Sequence, residues 1–170
     1  MKHIAFIGLG SNLAQPAVQI SQAMQAIDLL PATRVVARSG LYRSAPVGYL
    51  DQPDFVNAVV KVETLLTPIA LLQALLALEQ ENGRTREFQN APRTLDLDVL
   101  LYDDLQHHEQ GLTVPHPQMH KRAFVLQPLL DIAPDCVIPG VGAAAMAREL
   151  CKDQRLEQLP ESVAGNRSAE

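Results

Sequence analysis

The sequence predicts one α+β domain built from a βαββαβ unit, with its helices on one face of an antiparallel sheet. Apolar residues alternate with period two around residues 54–63 and 95–101, as they do in half-buried strands. They recur at helical spacing after Pro16 and after Thr67, and turn residues separate these segments. This order is typical of the ferredoxin-like arrangement, so we expect the second face of the sheet to stay open.

The first half of the chain supplies three strands and one helix. A strand over His3–Gly8 precedes a helix that starts near Pro16, since proline is favoured in a first helical turn. Pro31 closes that helix. The second strand is predicted over about Thr33–Tyr42 and the third over about Asp54–Glu63.

The second half supplies a helix, a strand and further C-terminal elements. Thr67 and Pro68 provide an N-cap and a first-turn proline, and the helix is predicted to run to about Asn82. Its predicted inward residues are Ile69, Leu72, Leu75 and Leu76. The fourth strand follows over about 95–101, and later helices are predicted within His116–Ile132 and over Ala143–Leu150.

Length and charge exclude several classes of protein. A chain of 170 residues fits one domain, which we place at residues 1–153, followed by a polar tail at 154–170 that frays. A net charge of −5 argues against a nucleic-acid surface, and no apolar run is long enough to cross a membrane. Cys136 and Cys151 form no metal-binding or disulfide pattern. With no signal peptide and no long apolar surface stripe, we expect a cytoplasmic monomer.

The fourth strand carries the strongest functional signal. Asp96 and Asp98 share the face opposite the apolar residues, with Cα atoms about 6.5 Å apart. Two carboxylates this close repel each other unless a cation lies between them, and Mg²⁺ is often bound by one or two carboxylates together with phosphates. Arg93 adds a phosphate-binding fork. The alternative is that both aspartates merely solvate an exposed face. The apolar face is formed by Leu95, Leu97, Val99 and Leu101.

The third strand repeats this division. Phe55 and Asn57 project opposite an apolar row that runs from Val56 to Val62 at alternate positions. An aromatic ring beside an amide suits a planar heterocycle, which needs stacking and polar contacts at its edge. An exposed phenylalanine beside a sheet asparagine is an equally common arrangement, so these two residues alone leave both interpretations open.

Spaced motifs extend this picture along most of the chain. The segment Pro-Arg-Thr-Leu-Asp-Leu-Asp occupies residues 92–98. The others are Gly-Ser-Asn-Leu at 10–13, Tyr-Arg-Ser at 42–44, Asp-Gln-Pro-Asp-Phe-Val-Asn at 51–57, Gly-Arg-Thr-Arg at 83–86, Leu-Thr-Val-Pro-His-Pro at 112–117 and Arg-Ala-Phe-Val-Leu at 122–126. In this order they resemble the 6-hydroxymethyl-7,8-dihydropterin pyrophosphokinase family of the folate pathway, over roughly residues 3–139.

The resemblance implies a reaction and a set of residues. ATP would donate an intact pyrophosphoryl group to the pterin hydroxymethyl oxygen and leave as AMP, with two Mg²⁺ ions at Asp96 and Asp98. Whether Asp96 also deprotonates the hydroxyl stays open. The implied catalytic residues are Arg93, Asp96, Asp98 and Arg86. The implied nucleotide-binding residues are Glu79, Arg84, Arg86, Arg93, Thr113, His116 and Arg122. The implied pterin-binding residues are Ser44, Ala45, Val47, Gly48, Phe55, Asn57 and Phe124.

Three positions depart from the family pattern. Many members have a basic residue where Gln89 stands and an aromatic residue where Asn90 stands, and some have arginine where Gly111 stands. The metal pair and the principal arginines are unchanged. We therefore expect a working enzyme that differs in ATP affinity or in the closure of the loop between Arg86 and Arg93.

Two other functions remain as alternatives. One is a different metal-dependent nucleotide transferase, because Asp-x-Asp also occurs in enzymes that act on sugar nucleotides. The other is a catalytically silent ferredoxin-like module that senses a small ligand. The pair Phe55 and Asn57 disfavours the first, and retention of Asp96, Asp98 and Arg93 disfavours the second.

Overall fold

The computed structural model describes residues 1–44, 54–81, 95–109 and 111–160. Within these ranges the strands and helices follow the predicted βαββαβ order, except that two strands stand where the second one was predicted, and then continue into smaller C-terminal elements. Their bounds are β1 (His3–Ser11), α1 (Pro16–Asp28), β2 (Thr33–Arg38), β3 (Tyr42–Ser44), β4 (Phe55–Thr64), α2 (Pro68–Glu79), β5 (Leu95–Tyr102), β6 (His107–Glu109), β7 (Leu112–Val114), a 3-10 turn (Met119–Lys121), α3 (Ala123–Ile132), β8 (Val137–Ile138), β9 (Gly142–Ala143), α4 (Ala144–Leu150) and β10 (Glu157–Gln158).

The main sheet is antiparallel, with the order β10-β3-β4-β1-β5 and with β2 also paired to β4. β2 and β3 share one edge of β4, so the predicted single strand over Thr33–Tyr42 is wrong. The interruption lies at Ser39, whose N–H donates to the Val59 carbonyl at 2.9 Å. The Ser39 hydroxyl accepts from the Val59 N–H at 2.9 Å, so a side chain replaces one rung of the ladder and ends the strand.

One face of the sheet packs against α1 and α2 in a core of mostly apolar side chains. The first helix buries Ile20 and Ile27, which belong to the apolar residues at helical spacing after Pro16. The predicted face of α2 is partly wrong, because Leu76 is 45% exposed whereas Leu71 is fully buried. This helix is apolar almost all round, so its sequence does not define which row faces inward. Its α-helical part runs to Glu79, and the predicted end at Asn82 lies outside the described residues.

A register shift in β5 changes one further assignment. Leu95, Leu97 and Val99 face the core beneath α1 and α2, as the alternation predicts. β1 then pairs Ile7 with Val99 but Phe6 with Leu101, which leaves Leu100 as an extra residue. Leu101 therefore joins the core on the opposite face, and its predicted placement is wrong.

The second face is not fully open, contrary to the expectation. α3 packs across β4, and α4 packs on α3, so both cover one half of this face. The second core contains Val59, Leu101, Leu126 and Leu129. α3 lies within the predicted range, and α4 begins one residue later than predicted. The other half of the face carries a cleft.

The predicted boundary of the tail is also wrong. Glu157 and Gln158 pair with Arg43 and Tyr42 at the edge of the sheet. The Leu159 side chain is only 9% exposed and belongs to the first core. The Leu159 side chain and the short β10–β3 ladder therefore attach the start of the polar C-terminal segment to the domain. Residues 161–170 lie outside the described residues.

Cys136 and Cys151 are free thiols, with Cys136 partly buried and Cys151 buried. Among the helices in the part of the chain that the structure describes, none is long and apolar enough to cross a membrane.

Candidate active site

A cleft of about 200 Å³ opens on the half of the sheet that α3 and α4 leave uncovered. We call it the sheet cleft. β1, β4 and β5 form its floor, and residues near and within α3 form one wall. Its lining side chains and backbone belong to Gly8, Leu9, Gly10, Ser44, Phe55, Asn57, Ala58, Asp96, Asp98, Leu100, His116, Arg122, Phe124 and Val125.

Two glycines keep the floor of the sheet cleft low. Gly10 pairs with Asn57 on one side and with Asp96 on the other, and Gly8 pairs with Asp98. A Cβ atom at Gly10 would lie 2.9 Å from Asn57 Oδ1, and one at Gly8 would lie 3.3 Å from Leu100 methyl carbons. The sequence pattern predicts the first strand only as far as Gly8, whereas β1 runs to Ser11, and it indicates no site role for either glycine. Glycines two positions apart in a strand are the signal that could have indicated it.

The two aspartates project into the sheet cleft from β5, as the alternation predicts. Leu95 and Leu97 are 0% and 2% exposed on the other side of the strand, which fixes the direction of the aspartates. Asp98 is exposed and Asp96 is partly buried. In the described ranges no group of three His, Cys, Asp or Glu side chains could hold a metal ion. The pair alone still fits Mg²⁺, because that ion keeps several waters and takes phosphate oxygens as ligands.

His116 lies at the rim of the sheet cleft near Asp98 and Arg122. Its backbone N–H donates to the Leu100 carbonyl at 2.9 Å, which anchors the loop to β5. Burial lowers the pKa of His116 below its ordinary value; the Asp98 carboxylate opposes this shift and the Arg122 guanidinium adds to it. The Gln118 N–H donates to His116 Nδ1 at 3.1 Å, so the neutral ring carries its proton on Nε2.

Two aromatic rings line the sheet cleft. Phe55 comes from β4, and Phe124 comes from the first turn of α3. The Arg122 guanidinium carbon lies 5.7 Å from the centroid of the Phe124 ring. Phe124 also packs against the second core, so it contributes both to the wall of the site and to the hydrophobic interior.

A buried amide lies next to Gly10 in the sheet cleft. Asn57 is 5% exposed, and its Nδ2 donates to Ser44 Oγ at 2.8 Å. This hydrogen bond orients the amide and directs Oδ1 towards Gly10. The amide therefore presents a fixed acceptor to the sheet cleft.

The structure does not bring every predicted site residue to the sheet cleft. Glu79 is buried and accepts a hydrogen bond from the Leu97 N–H at 2.6 Å. The Thr113 hydroxyl is within 2.6 Å of His108 Nδ1 in the β6–β7 hairpin. Neither residue is part of the described lining, and their nucleotide-binding roles stay predictions. Predicted residues outside the described ranges are Ala45, Val47, Gly48, Arg84, Arg86 and Arg93, and so are Gln89 and Asn90.

Fold and cleft together define a small α+β protein whose sheet carries a cleft with two aromatic rings beside a carboxylate pair. A family model described as 7,8-dihydro-6-hydroxymethylpterin-pyrophosphokinase (HPPK) matches residues 6–134. The chain belongs to this family, as its motifs predict. It is a pyrophosphokinase of folate biosynthesis.

Curated relatives extend the match over nearly the whole chain. A 2-amino-4-hydroxy-6-hydroxymethyldihydropteridine pyrophosphokinase from Pseudomonas aeruginosa is 47% identical over 155 residues, covering 91% of this chain and 96% of the relative. The protein of the same name from Haemophilus influenzae is 49% identical over 135 residues, covering 79% of this chain and 84% of the relative.

Solved structures confirm the fold class. Wild-type Plasmodium falciparum HPPK-DHPS, solved with pteroate, superposes with a TM-score of 0.71 at 14% identity and covers 88% of this chain. This chain spans only 42% of that longer protein. At such low identity the similarity establishes the fold and nothing further.

Proposed function

We propose that this chain transfers the pyrophosphoryl group of ATP to the hydroxymethyl oxygen of 6-hydroxymethyl-7,8-dihydropterin, with two Mg²⁺ ions held at Asp96 and Asp98. The observation that carries the proposal is the composition of the sheet cleft. One small space combines two aromatic rings, a fixed amide acceptor and two carboxylates across a glycine floor. A planar heterocycle with a reactive alcohol needs both parts of the sheet cleft: the rings and the amide to bind the heterocycle, and the carboxylates beside the alcohol.

The aromatic half of the sheet cleft suits the pterin. Phe55 and Phe124 offer faces for stacking, and the Asn57 Oδ1 acceptor suits an N–H at the edge of the ring. Because Gly10 has no side chain, the ring can approach the strand backbone closely. These contacts would orient the hydroxymethyl group towards the carboxylates.

The charged half of the sheet cleft suits the phosphates. Mg²⁺, when bound, would neutralise the phosphate oxygens and align the donor with the attacking hydroxyl. Arg122 supplies a permanent positive charge, and neutral His116 supplies an Nε2–H donor at the same rim. Arg84, Arg86 and Arg93 remain proposed phosphate contacts from the resemblance.

The transfer is one displacement at the β-phosphorus. The hydroxymethyl oxygen forms a bond to that phosphorus while the bond to the oxygen bridging the α- and β-phosphates breaks. AMP leaves with the bridging oxygen, and the hydroxyl proton passes to a base. The Asp96 carboxylate is a candidate for that base, because it lies in the sheet cleft on the same strand as Asp98.

The test is product identification with ATP, Mg²⁺ and the dihydropterin. We expect AMP and the pterin diphosphate in equal amounts, and no turnover when Mg²⁺ is removed by a chelator. The 6-methyl analogue, which lacks the hydroxyl, should bind without forming AMP. Formation of ADP, or no turnover with the complete mixture, would refute the proposal and reopen the two alternative functions.

We also propose a cytoplasmic monomer that binds ATP and the dihydropterin but neither nucleic acid nor a membrane. The free thiols of Cys136 and Cys151 are in keeping with a reducing compartment. Size-exclusion chromatography with light scattering tests the oligomeric state, and a mass of twice 18.6 kDa would contradict it.

A further inference from the structure

One buried acidic side chain is placed where it bears on the carboxylate pair without lining the sheet cleft. Glu79 is the last residue of α2 and is 5% exposed. Its Oε2 accepts a hydrogen bond from the backbone N–H of Leu97 at 2.6 Å. Leu97 is the residue between Asp96 and Asp98, so the contact lies at the centre of the metal-binding segment.

The position of β5 in the sheet explains why such a contact matters. β5 is the end strand and pairs only with β1 among the described strands. Antiparallel pairing satisfies alternate backbone groups, and the Leu97 N–H points to the edge without a strand partner. The Glu79 carboxylate replaces the missing strand at this one position. Burial of a carboxyl group costs free energy because the group loses its hydration, and the hydrogen bond from the Leu97 N–H offsets part of that cost.

We propose that Glu79 is a positioning residue for the proposed metal site. It fixes the backbone between Asp96 and Asp98, so that the two carboxylates keep the separation and direction that Mg²⁺ requires. The inference rests on the proposed Mg²⁺-dependent function. It differs from the role that the family resemblance implies, because Glu79 acts through Leu97 and not by touching the nucleotide.

Three substitutions separate these roles. Glu79→Gln keeps an acceptor of the same length and removes the charge. Glu79→Asp keeps the charge but is one methylene shorter and does not reach the Leu97 N–H. Glu79→Leu removes both charge and acceptor. Glu81→Leu is the matched control, because Glu81 is an exposed glutamate two residues further along the chain.

The first readout is the Mg²⁺ dependence of AMP formation. Both Glu79→Leu and Glu79→Asp should raise the Mg²⁺ concentration for half-maximal rate by about 10- to 100-fold, as loss of a group that orients metal ligands does. Glu79→Gln and Glu81→Leu should stay close to wild type. The KM for the dihydropterin should hardly change, because Phe55, Asn57 and Phe124 lie on other elements.

The second readout needs neither metal nor turnover. Hydrogen exchange of the Leu97 amide, followed by NMR, should accelerate in Glu79→Leu and Glu79→Asp and stay slow in Glu79→Gln. If Glu79→Leu does not fold, as a thermal melt would reveal, Glu79→Asp carries the same test with the charge retained.

Distinct results overturn the proposal. An equal rise in the Mg²⁺ concentration for half-maximal rate in Glu79→Gln and Glu79→Leu would show that the charge itself contacts the nucleotide or metal. An unchanged Leu97 amide in Glu79→Asp, or an equal rise in the KM for the dihydropterin, would remove the positioning role. Failure of the wild type to form AMP would instead refute the proposed function, and the exchange measurement at Leu97 would still report on the hydrogen bond.

Discussion

The two faces of the main sheet use the same strands for opposite purposes. Beneath α1 and α2, alternate residues such as Ile7, Val60 and Leu97 are at most 2% exposed and carry no polar group. On the sheet-cleft side, the residues next to them in sequence include Gly8 and Asp98. A period of two lets one strand separate stability from chemistry, because burial on one face leaves the residues of the other face free to vary.

The second face is itself divided. Under α3 and α4 it is apolar, with Val59 and Leu101 buried, whereas the uncovered half has small, polar and charged residues. The change from one half to the other occurs within a few residues of each strand. The extent of the sheet face that α3 and α4 cover therefore sets the size of the sheet cleft.

The largest expected effect comes from Asp98→Ala on the functional side. AMP formation should fall by about 10³-fold, as it does when a charge-stabilising group of an active site is removed. Stability should change by less than about 0.5 kcal/mol, because Asp98 is exposed. Circular dichroism melts and initial rates measure the two quantities, with exposed Asp104→Ala as the control. Unfolding of Asp98→Ala would mean that the aspartate serves the fold.

The opposite side of the comparison is tested by Leu75→Ala, which removes a fully buried side chain of α2. The free energy of unfolding should fall by about 2–5 kcal/mol, while the turnover of the folded fraction stays unchanged. Leu76→Ala, one residue further on and 45% exposed, should cost much less. Urea titrations decide between them, and equal losses would contradict the observed orientation of α2.

Gly10→Ala places a methyl group on the floor between the two halves of the sheet cleft. Because the new Cβ would lie 2.9 Å from Asn57 Oδ1, the amide must move away from its bond to Ser44. The KM for the dihydropterin should rise by about 10-fold, equivalent to about 1.4 kcal/mol. Gly8→Ala should have a smaller effect, since flexible Leu100 methyl groups at 3.3 Å can shift. The reverse order would indicate that Asn57 does not meet the ligand.

The smallest effect concerns Tyr42, which lies away from the sheet cleft and donates to Asp131 Oδ2 at 2.6 Å. Burial, and then the Asp131 carboxylate, raise the pKa of Tyr42 above its ordinary value. The folded state therefore holds this proton more tightly than the unfolded state does. The resulting stability is complete below about pH 10 and is lost as pH rises through the folded-state pKa.

Tyr42→Phe should accordingly be less stable by about 1 kcal/mol near pH 8. The difference in free energy of unfolding between Tyr42→Phe and wild type should become smaller above pH 10. Urea titrations at a series of pH values measure it. If the free energies of unfolding of wild type and Tyr42→Phe changed in parallel with pH, the assigned hydrogen bond would be contradicted.

Much of the fold and part of the site could be predicted because the signals are local. Alternation within β4 and β5 places Phe55, Asn57, Asp96 and Asp98 on one face, since the period of a strand requires it. Proline at the start of α1 and α2 marks where each helix begins. The family motifs then identify the pyrophosphokinase.

The remaining features depend on partners distant in sequence. Ser39 ends a strand through its bonds to Val59, and the extra residue Leu100 is defined only by pairing with β1. The floor formed by Gly8 and Gly10 becomes visible only when β4 and β5 flank it. Glu79 resembles an ordinary residue at a helix end until its contact with Leu97 is known. The contacts of Ser39, Leu100 and Glu79 leave no pattern within their own segments, whereas the glycines at positions 8 and 10 are a local signal whose strand partners are distant.

The short pairing of β10 with β3 has a consequence for the order of folding. Arg43 and Glu157 meet across this ladder although they are 114 positions apart in the chain. The edge of β3 next to Ser44 therefore stays without its strand partner until the ribosome has made almost the whole domain. Contacts of such long range form late, so nascent chains are expected to build most of the α1 and α2 core first, and to add Leu159 and close the edge beside Ser44 last.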